Sequence, residues 1–368
     1  MVMRNLFSGI YAGKTVLVTG HTGFKGSWLA YWLSRMGARV VGYALEAPTQ
    51  PNHIALLDLD IVSVIGDIRD SEALDAAFQK HRPDIVFHLA AQPLVRFSYE
   101  HPVDTFETNV MGTLKVFESC RKHEVGAIVN ITSDKAYENR EWVWGYREND
   151  PMGGYDPYSA SKGCADLLAN SYRNSFFNPE AYKKTHRTLL ASCRAGNVIG
   201  GGDWAKDRLM TDIMLAVSQG RKVSIRNPRA TRPWQHVLEP LSGYLHIGQK
   251  LLEEQAAFGG AWNFGPGDEG SITVEEVVKK VKKTWDKIDY EIRQEADQPH
   301  EAGLLKLDCS KAHSLLKWRD VWDSDITFEK TVNWYRTYYE EDRRILTGQD
   351  LEDYVADAEA KKIAWACS

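Results

Sequence analysis

The 368-residue sequence predicts an α/β protein, a doubly wound parallel sheet completed by a smaller mixed α/β region. Three observations carry this. Short apolar, β-branched runs alternate with amphipathic stretches through the first half of the chain, the pattern of repeated strand–helix–strand units. The first such run leads straight into a glycine-rich turn and a helix, Gly20-His21-Thr22-Gly23-Phe24-Lys25-Gly26. Past residue 196 the elements shorten and the connections lengthen.

Taken in order, residues 14–19 read as a buried strand. The helix after the turn carries Trp28, Leu29, Trp32 and Leu33 on one face and ends near Gly37. Residues 39–43 and 61–65 are the next strands, 71–80 a helix and 85–89 a strand. Residues 102–125 read as one long helix and 127–132 as a strand. Asp156 followed by Pro157 is an N-cap and first-position pair, opening a helix to about Phe177. Residues 188–195 form a strand. Helices then follow at 208–219, 240–254, 273–286, 310–316 and 327–347, with strands at 222–226, 261–264, 290–293 and 304–307. The stretch 231–237 reads as a polar, aromatic loop, and the tail after Gly348 is left open between a helix and disorder.

Apolar residues at 43% and charged residues at 26% are ordinary for a water-soluble globular chain large enough to bury a sizeable core. A net charge of −5 without a basic run argues against a nucleic-acid partner. The five cysteines are scattered, with no Cys-x-x-Cys, which fits a reducing compartment. The histidines lack metal-ligand spacing, so no metal is expected. No apolar run reaches membrane-span length, and the N-terminus lacks the apolar core of a signal peptide. A cytoplasmic location is therefore expected.

The chemistry gathers at strand ends. Gly20, Gly23 and Gly26, between strand and helix, are the Rossmann-type signature of a dinucleotide site, because small residues let a pyrophosphate reach a helix N-terminus. Ala44 stands where such sites place an acid for the adenosine ribose, with Glu46 as a substitute from the loop. No arginine follows to grip a ribose phosphate, so NAD is expected over NADP. Asp67 is expected either at the adenine or as a helix N-cap. At the end of the 127–132 strand come Ser133, Asp134 and Lys135. Downstream, Tyr158 and Lys162 lie one turn apart on one helix face. A free tyrosine, with a pKa of about 10, is a poor base at neutral pH; a nearby cation and an oxidised nicotinamide favour the phenolate, which can then take a hydroxyl proton. For Asp134-Lys135 the plain reading is a solvated surface ion pair.

These residues, with Leu89-Ala90-Ala91, Asn109, Arg194-Ala195-Gly196-Asn197 and Arg232-Pro233-Trp234, resemble the extended short-chain dehydrogenase/reductase family over nearly the whole chain. Ser133-Asp134-Lys135 lies where its sugar-nucleotide 4,6-dehydratases carry Thr-Asp-Glu. The lysine, and the run from Gly20 to Trp28, look like the members that act on CDP-glucose. The resemblance implies a hydro-lyase that recycles NAD within each turnover. A dehydratase for another sugar nucleotide, a 4-epimerase and a non-catalytic NAD-binding scaffold are the alternatives.

By family position, the cofactor would meet Gly20, Gly23, Phe24, Gly26, Asp67, Ile68, Leu89, Ala90, Ala91, Asn109, Thr132, Tyr158 and Lys162. Ser133, Asp134, Lys135, Tyr158 and Lys162 would be catalytic. The sugar nucleotide would meet Gln92, Ser133, Asn197, Arg208, Arg232, Asn263 and His300, with Glu301 beside it. Residues 1–195, joined by 233–265, would bind NAD; 196–232 and 266–368 would bind substrate. The 102–125 and 157–177 helices would pair across a two-fold axis in a homodimer, or a tetramer built from it.

One physical difficulty attends Lys135. For Asp134 to give a proton and Lys135 to take one, the pair must start as neutral acid and neutral amine. Reference pKa values of about 3.9 and 10.4 favour the ion pair by roughly 9 kcal/mol in water.

Overall fold

The computed structural model describes residues 3–225, 228–267, 271–293 and 304–367, with the backbone alone at Arg232 and Ser271. Seven parallel strands form the main sheet. Their order across it is Ala261–Phe264, Leu189–Ala195, Ala127–Ile131, Ile85–His88, Thr15–Thr19, Arg39–Ala44 and Val62–Ile65. Sequence order reverses at Thr15–Thr19, which pairs with both Arg39–Ala44 and Ile85–His88. Ligands of open α/β sheets sit outside the carboxyl ends of the strands at such a switch point.

Burial explains why the runs are so apolar. Every residue of Ala127–Ile131 and Leu189–Ala195 is buried, as expected where helices cover both faces of a parallel sheet. The helix Phe24–Arg35 packs Trp28, Leu29, Trp32 and Leu33 inward, and the helix Leu238–Leu252 packs on the same side within one core.

Several expectations change. Residues 102–125 do not form one regular helix: α-turns at Pro102–Phe106 and Thr113–Lys122 flank a wider π-type stretch, Glu107–Gly112. A Cβ on Gly112 would lie 2.6 Å from the Ile68 side chain, so the wide turn sits tight against the segment that follows the strand Val62–Ile65. The 231–237 stretch holds two short strands, Thr231–Pro233 and Gln235–His236. Around 304–307 only a single bridge forms, Leu307 to Tyr146. The tail is ordered as the helix Thr347–Ala360.

That tail also crosses the expected division at residue 266. Trp318, Trp322, Leu351, Tyr354 and Trp365 pack into the core of the main sheet. Trp365 stacks on Phe7 at 5.1 Å and meets Trp32 edge-on at 5.5 Å. A second apolar cluster gathers Ile213, Val223, Val278, Phe328 and Trp334, all from beyond residue 196. No described helix is long and apolar enough to cross a membrane.

Candidate active site

A cleft of about 1340 Å³ opens at the carboxyl ends of the strands, where the two cores meet. It exceeds the roughly 300–1,000 Å³ of a single small-molecule site, so it has room for two ligands.

One end is built by the glycine turn. Gly20 has φ +79°, and a Cβ there would lie 2.8 Å from Ala90 N; a Cβ on Gly26 would lie 2.1 Å from Gly20 O. Only glycine lets the turn close this tightly against the neighbouring strand end. Gly23 precedes the helix Phe24–Arg35 without a side-chain cap, so its first-turn N–H groups remain for an anionic ligand. Gly20, Gly23, Phe24, Gly26, Ile68, Leu89, Ala90 and Ala91 all line this end. Asp67 lines it too, and it is not the helix cap, which is Asp70. Arg69 holds the Asp67 carboxyl below the ordinary range and also reaches Asp104, so this arginine is already engaged by two acids. Ala44 and Glu46 lie at the mouth. These features fit a dinucleotide bound by backbone and a carboxylate.

The other end holds Ser133, Asp134, Lys135, Tyr158, Lys162, Asn197 and Arg208. Ser133 and Asp134 are buried as the chain leaves Ala127–Ile131 in a tight 3₁₀ turn. The Ser133 hydroxyl donates to Asp134 Oδ1 at 2.9 Å and accepts from Lys135 N at 3.2 Å. Asp134 is 3% exposed, and among the described residues no ion pair joins it to Lys135. The surface-pair reading of Asp134-Lys135 therefore fails on geometry. A Cβ on Gly196 would lie 3.1 Å from Asp134 Oδ2, so that glycine makes room for the carboxylate.

The helix Pro157–Ser175 starts as expected: the Asp156 carboxylate accepts from Ser159 N at 2.9 Å and Pro157 takes the first turn. Tyr158 N donates to Ser98 Oγ at 3.1 Å. Burial pushes the Tyr158 hydroxyl up to about 12, opposed by its hydrogen bond with Ser133 and by Arg208. Arg208 is thus a cation acting on Tyr158 besides Lys162, to which the sequence points. Burial lowers Lys162 to about 8, partly countered by Asp166. Asp166 also accepts from Thr132 Oγ1 at 2.6 Å and from Arg194 Nε and Nη2, each at 3.0 Å. Arg208 is fixed by Asp203 at 2.6 Å.

Three predicted contacts turn inward. Asn263 is fully buried; its side chain accepts from Tyr137 Oη and donates to the Tyr146 and Asp308 carbonyls, which uses its hydrogen-bonding capacity inside the protein. Gln92 donates to Leu94 O and Thr105 Oγ1. Asn109 accepts from Gln92 N at 2.8 Å and donates to Gln92 O and Ser161 Oγ. It ties the end of Ile85–His88 to the Pro157–Ser175 helix without facing the cleft. Thr132 lines the cleft, but its hydroxyl is spent on Asp166. Strand periodicity cannot show which way an amide at a strand end will turn. The Arg232 side chain, His300 and Glu301 lie outside the described residues. Lys25 also lines the cleft, although the sequence reading assigned it no role; the signal was a lysine inside a turn of glycines.

Residues 17–333 match the family model described as GDP-mannose 4,6 dehydratase. The chain is 54% identical over 350 residues to a CDP-glucose 4,6-dehydratase of Salmonella typhimurium, covering 94% of this chain and 97% of that one. It is 26% identical to a UDP-glucose 4-epimerase of Halalkalibacterium halodurans, covering 88% and 96%. A solved UDP-glucose 4-epimerase of Thermus thermophilus in complex with NAD superposes with a TM-score of 0.74 at 24% identity, covering 88% and 99%. A dTDP-glucose 4,6-dehydratase of Bacillus anthracis in complex with NAD gives 0.72 at 20%, covering 89% and 98%. At such identities the likeness to solved structures shows the fold.

Proposed function

The chain belongs to the GDP-mannose 4,6 dehydratase family, and on that premise we propose that it converts CDP-D-glucose to CDP-4-dehydro-6-deoxy-D-glucose with NAD as cofactor. The observation that carries this is a buried acid, Asp134, beside Ser133 and Tyr158 in a cleft with room for two ligands. An epimerase has no work for that acid. The 54% identity to a CDP-glucose 4,6-dehydratase supports the choice of nucleotide.

NAD, when bound, would supply the acceptor for the carbon-4 hydride and the donor of that hydride to carbon 6, held by the glycine turn and Asp67. Tyr158 takes the carbon-4 hydroxyl proton as the carbon is oxidised, and Ser133 hydrogen-bonds that oxygen. Arg208 and Lys162 add the positive charge that a buried phenolate requires. The new ketone acidifies carbon 5. Lys135 removes the carbon-5 proton while Asp134 protonates the departing carbon-6 hydroxyl, which leaves as water. Asn197, Arg208 and Arg232 bind the diphosphate and ribose, arginine being suited to bidentate phosphate contacts. Glycine-turn N–H groups and Asp67 hold the cofactor.

We infer a homodimer as well. Val103, Met111 and Leu167 leave exposed apolar surface on the helices Pro102–Phe106 and Pro157–Ser175 and on the π-type turn between them, surface that a partner would cover.

Incubation with NAD and CDP-glucose deuterated at carbon 4 tests the reaction. Deuterium at carbon 6 of a 4-keto product, without net cofactor reduction, is expected. Deuterium retained at carbon 4 of an inverted sugar would establish epimerisation instead, and stoichiometric cofactor reduction would exclude both. Parallel dTDP- and GDP-glucose reactions test the base, the cytidine sugar being expected to turn over fastest.

A further inference from the structure

We propose that His53 is a positioning residue for carbon-4 oxidation: it joins the cofactor turn, the 200–203 stretch and the tail helix, and so holds the seats of cofactor and sugar nucleotide in register. The inference rests on the NAD and sugar-nucleotide reading above and concerns a residue which that reading does not use.

His53 opens the short helix His53–Leu56 and is 2% exposed. Its Nδ1 lies 2.8 Å from Ser27 Oγ and its Nε2 lies 2.8 Å from Thr347 Oγ1. Ser27 belongs to the first turn of the helix Phe24–Arg35, the turn that presents backbone N–H groups to the cofactor. Thr347, 294 residues further along the chain than His53, starts the tail helix Thr347–Ala360.

The direction of each hydrogen bond follows from counting protons. A hydroxyl has one proton to give. Ser27 gives it to Phe24 O at 2.8 Å, so it accepts from His53 Nδ1–H. Burial lowers the imidazole to about 3, so the ring is neutral and Nε2 keeps its lone pair. Thr347 Oγ1 therefore donates to Nε2, and itself accepts from Trp334 Nε1 at 3.0 Å. The result is one directed chain, from Trp334 through Thr347, His53 and Ser27 to Phe24 O. It runs from the second apolar cluster, which holds Trp334, to the cofactor turn.

The same ring supports the substrate side. A Cβ on Gly202, which has φ +88°, would lie 2.5 Å from the His53 ring, and a Cβ on Gly201 would lie 2.0 Å from the Trp334 ring. The 201–202 backbone therefore rests directly on His53 and Trp334. Gly201 O accepts from Trp28 Nε1 at 2.9 Å, which leads back to the helix of the cofactor turn. The next residue, Asp203, holds Arg208 at 2.6 Å, the arginine assigned above to the diphosphate and to Tyr158. His53 thus touches the cofactor turn on one side and, one residue before that acid, the substrate wall on the other. Hydride transfer needs both ligands in one register, and a misplacement of about 1 Å can cost about 10²-fold in rate.

Two measurements test this. In the full chain without ligands, nitrogen-15 NMR of the imidazole should show His53 neutral with its proton on Nδ1, and Thr347→Val should shift that signal; a proton on Nε2 would overturn the directed chain. The second is a single turnover at saturating NAD and CDP-glucose, following absorbance of the reduced cofactor, with dissociation constants for NAD and for CDP taken from protein fluorescence titrations. His53→Phe keeps the bulk of the ring and removes both hydrogen bonds. It should slow the appearance of reduced cofactor about 10- to 100-fold while both dissociation constants stay close to wild type. Thr347 does not line the cleft, so Thr347→Val breaks the chain away from both ligands. It should slow the same step by a smaller factor, and it covers the case in which His53→Phe does not fold. The double variant should be no slower than His53→Phe alone, because members of one network are not additive. Wild-type rates in both variants, with only a lowered midpoint of thermal unfolding, would make the chain a matter of stability and overturn the inference. So would a loss confined to NAD or CDP affinity with the rate at saturation unchanged. Failure of the NAD and sugar-nucleotide reading would show separately, as a wild-type chain that forms neither reduced cofactor nor 4-keto-6-deoxy product from CDP-glucose.

Discussion

Asp134 takes its hydrogen bond from Ser133 while Lys135, next in sequence, makes no ion pair with it. The tight turn after the strand is what separates the two side chains. A dehydratase needs this separation, because a closed Asp–Lys ion pair holds no proton for the leaving hydroxyl. Asp134→Asn should therefore leave carbon-4 oxidation intact, seen as accumulating reduced cofactor, and lower product formation by about 10²- to 10⁴-fold. Asp166 acts from one layer further back. It accepts from Thr132 and Arg194 and favours the charged form of Lys162. Asp166→Asn strips a buried guanidinium of its countercharge and should destabilise the fold by about 3–5 kcal/mol, measured by denaturant unfolding. Neither side chain's direction could be read from the sequence, where Asp166 is one more polar position on a helix.

Among the helices and strands, polar pins set the angles between pieces that apolar packing alone would let slide. Asn109 fastens Gln92 to Ser161 through a π-type turn. Asn109→Ala would leave a buried backbone N–H and C=O of Gln92 without that partner, at about 1–3 kcal/mol for each unsatisfied group. The midpoint of thermal unfolding should fall, and kcat with it as Tyr158 shifts on its helix. Glu239, on the helix Leu238–Leu252, does similar work for the tail, accepting from Val321 N, Trp322 N and Tyr354 Oη. Burial raises its carboxyl from the ordinary 4.5 to about 8. The folded protein therefore holds a proton there that the unfolded chain releases. The resulting stabilisation is complete below about pH 4.5 and is lost as pH rises through about 8. Thermal melts should show the midpoint falling over that window, and Glu239→Gln should flatten the dependence.

In the assembled protein, the tail matters beyond its length. Trp365, stacked on Phe7 and packed against Trp32, closes the core of the main sheet. Chains ending before Thr347 should expose this aromatic cluster and aggregate, as monitored by light scattering. The other apolar surface, at Val103, Met111 and Leu167, faces outward. Leu167→Glu combined with Met111→Glu should halve the solution mass in light scattering if these helices pair, while the far-ultraviolet circular dichroism stays unchanged.

Local chemistry along the chain was enough to specify the parallel sheet, the glycine turn and the helix start at Asp156-Pro157. Each of these follows from period, caps, and glycines that nothing bulkier can replace, whereas the grouping of Ser133, Asp134, Lys135, Tyr158 and Lys162 in one site came from the family resemblance. Folding in three dimensions settled what depends on residues far apart in the chain. It turned Asn263, Gln92 and Asn109 inward, where unpaired amides and carbonyls had to be satisfied. It brought Arg208, well downstream of Tyr158, in as a further cation acting on that tyrosine. It also placed Lys25, from the glycine turn, on the wall of the same cleft as Asp134. Burial and charge are properties of neighbours in space, and a linear sequence names those neighbours only when they are also close along the chain.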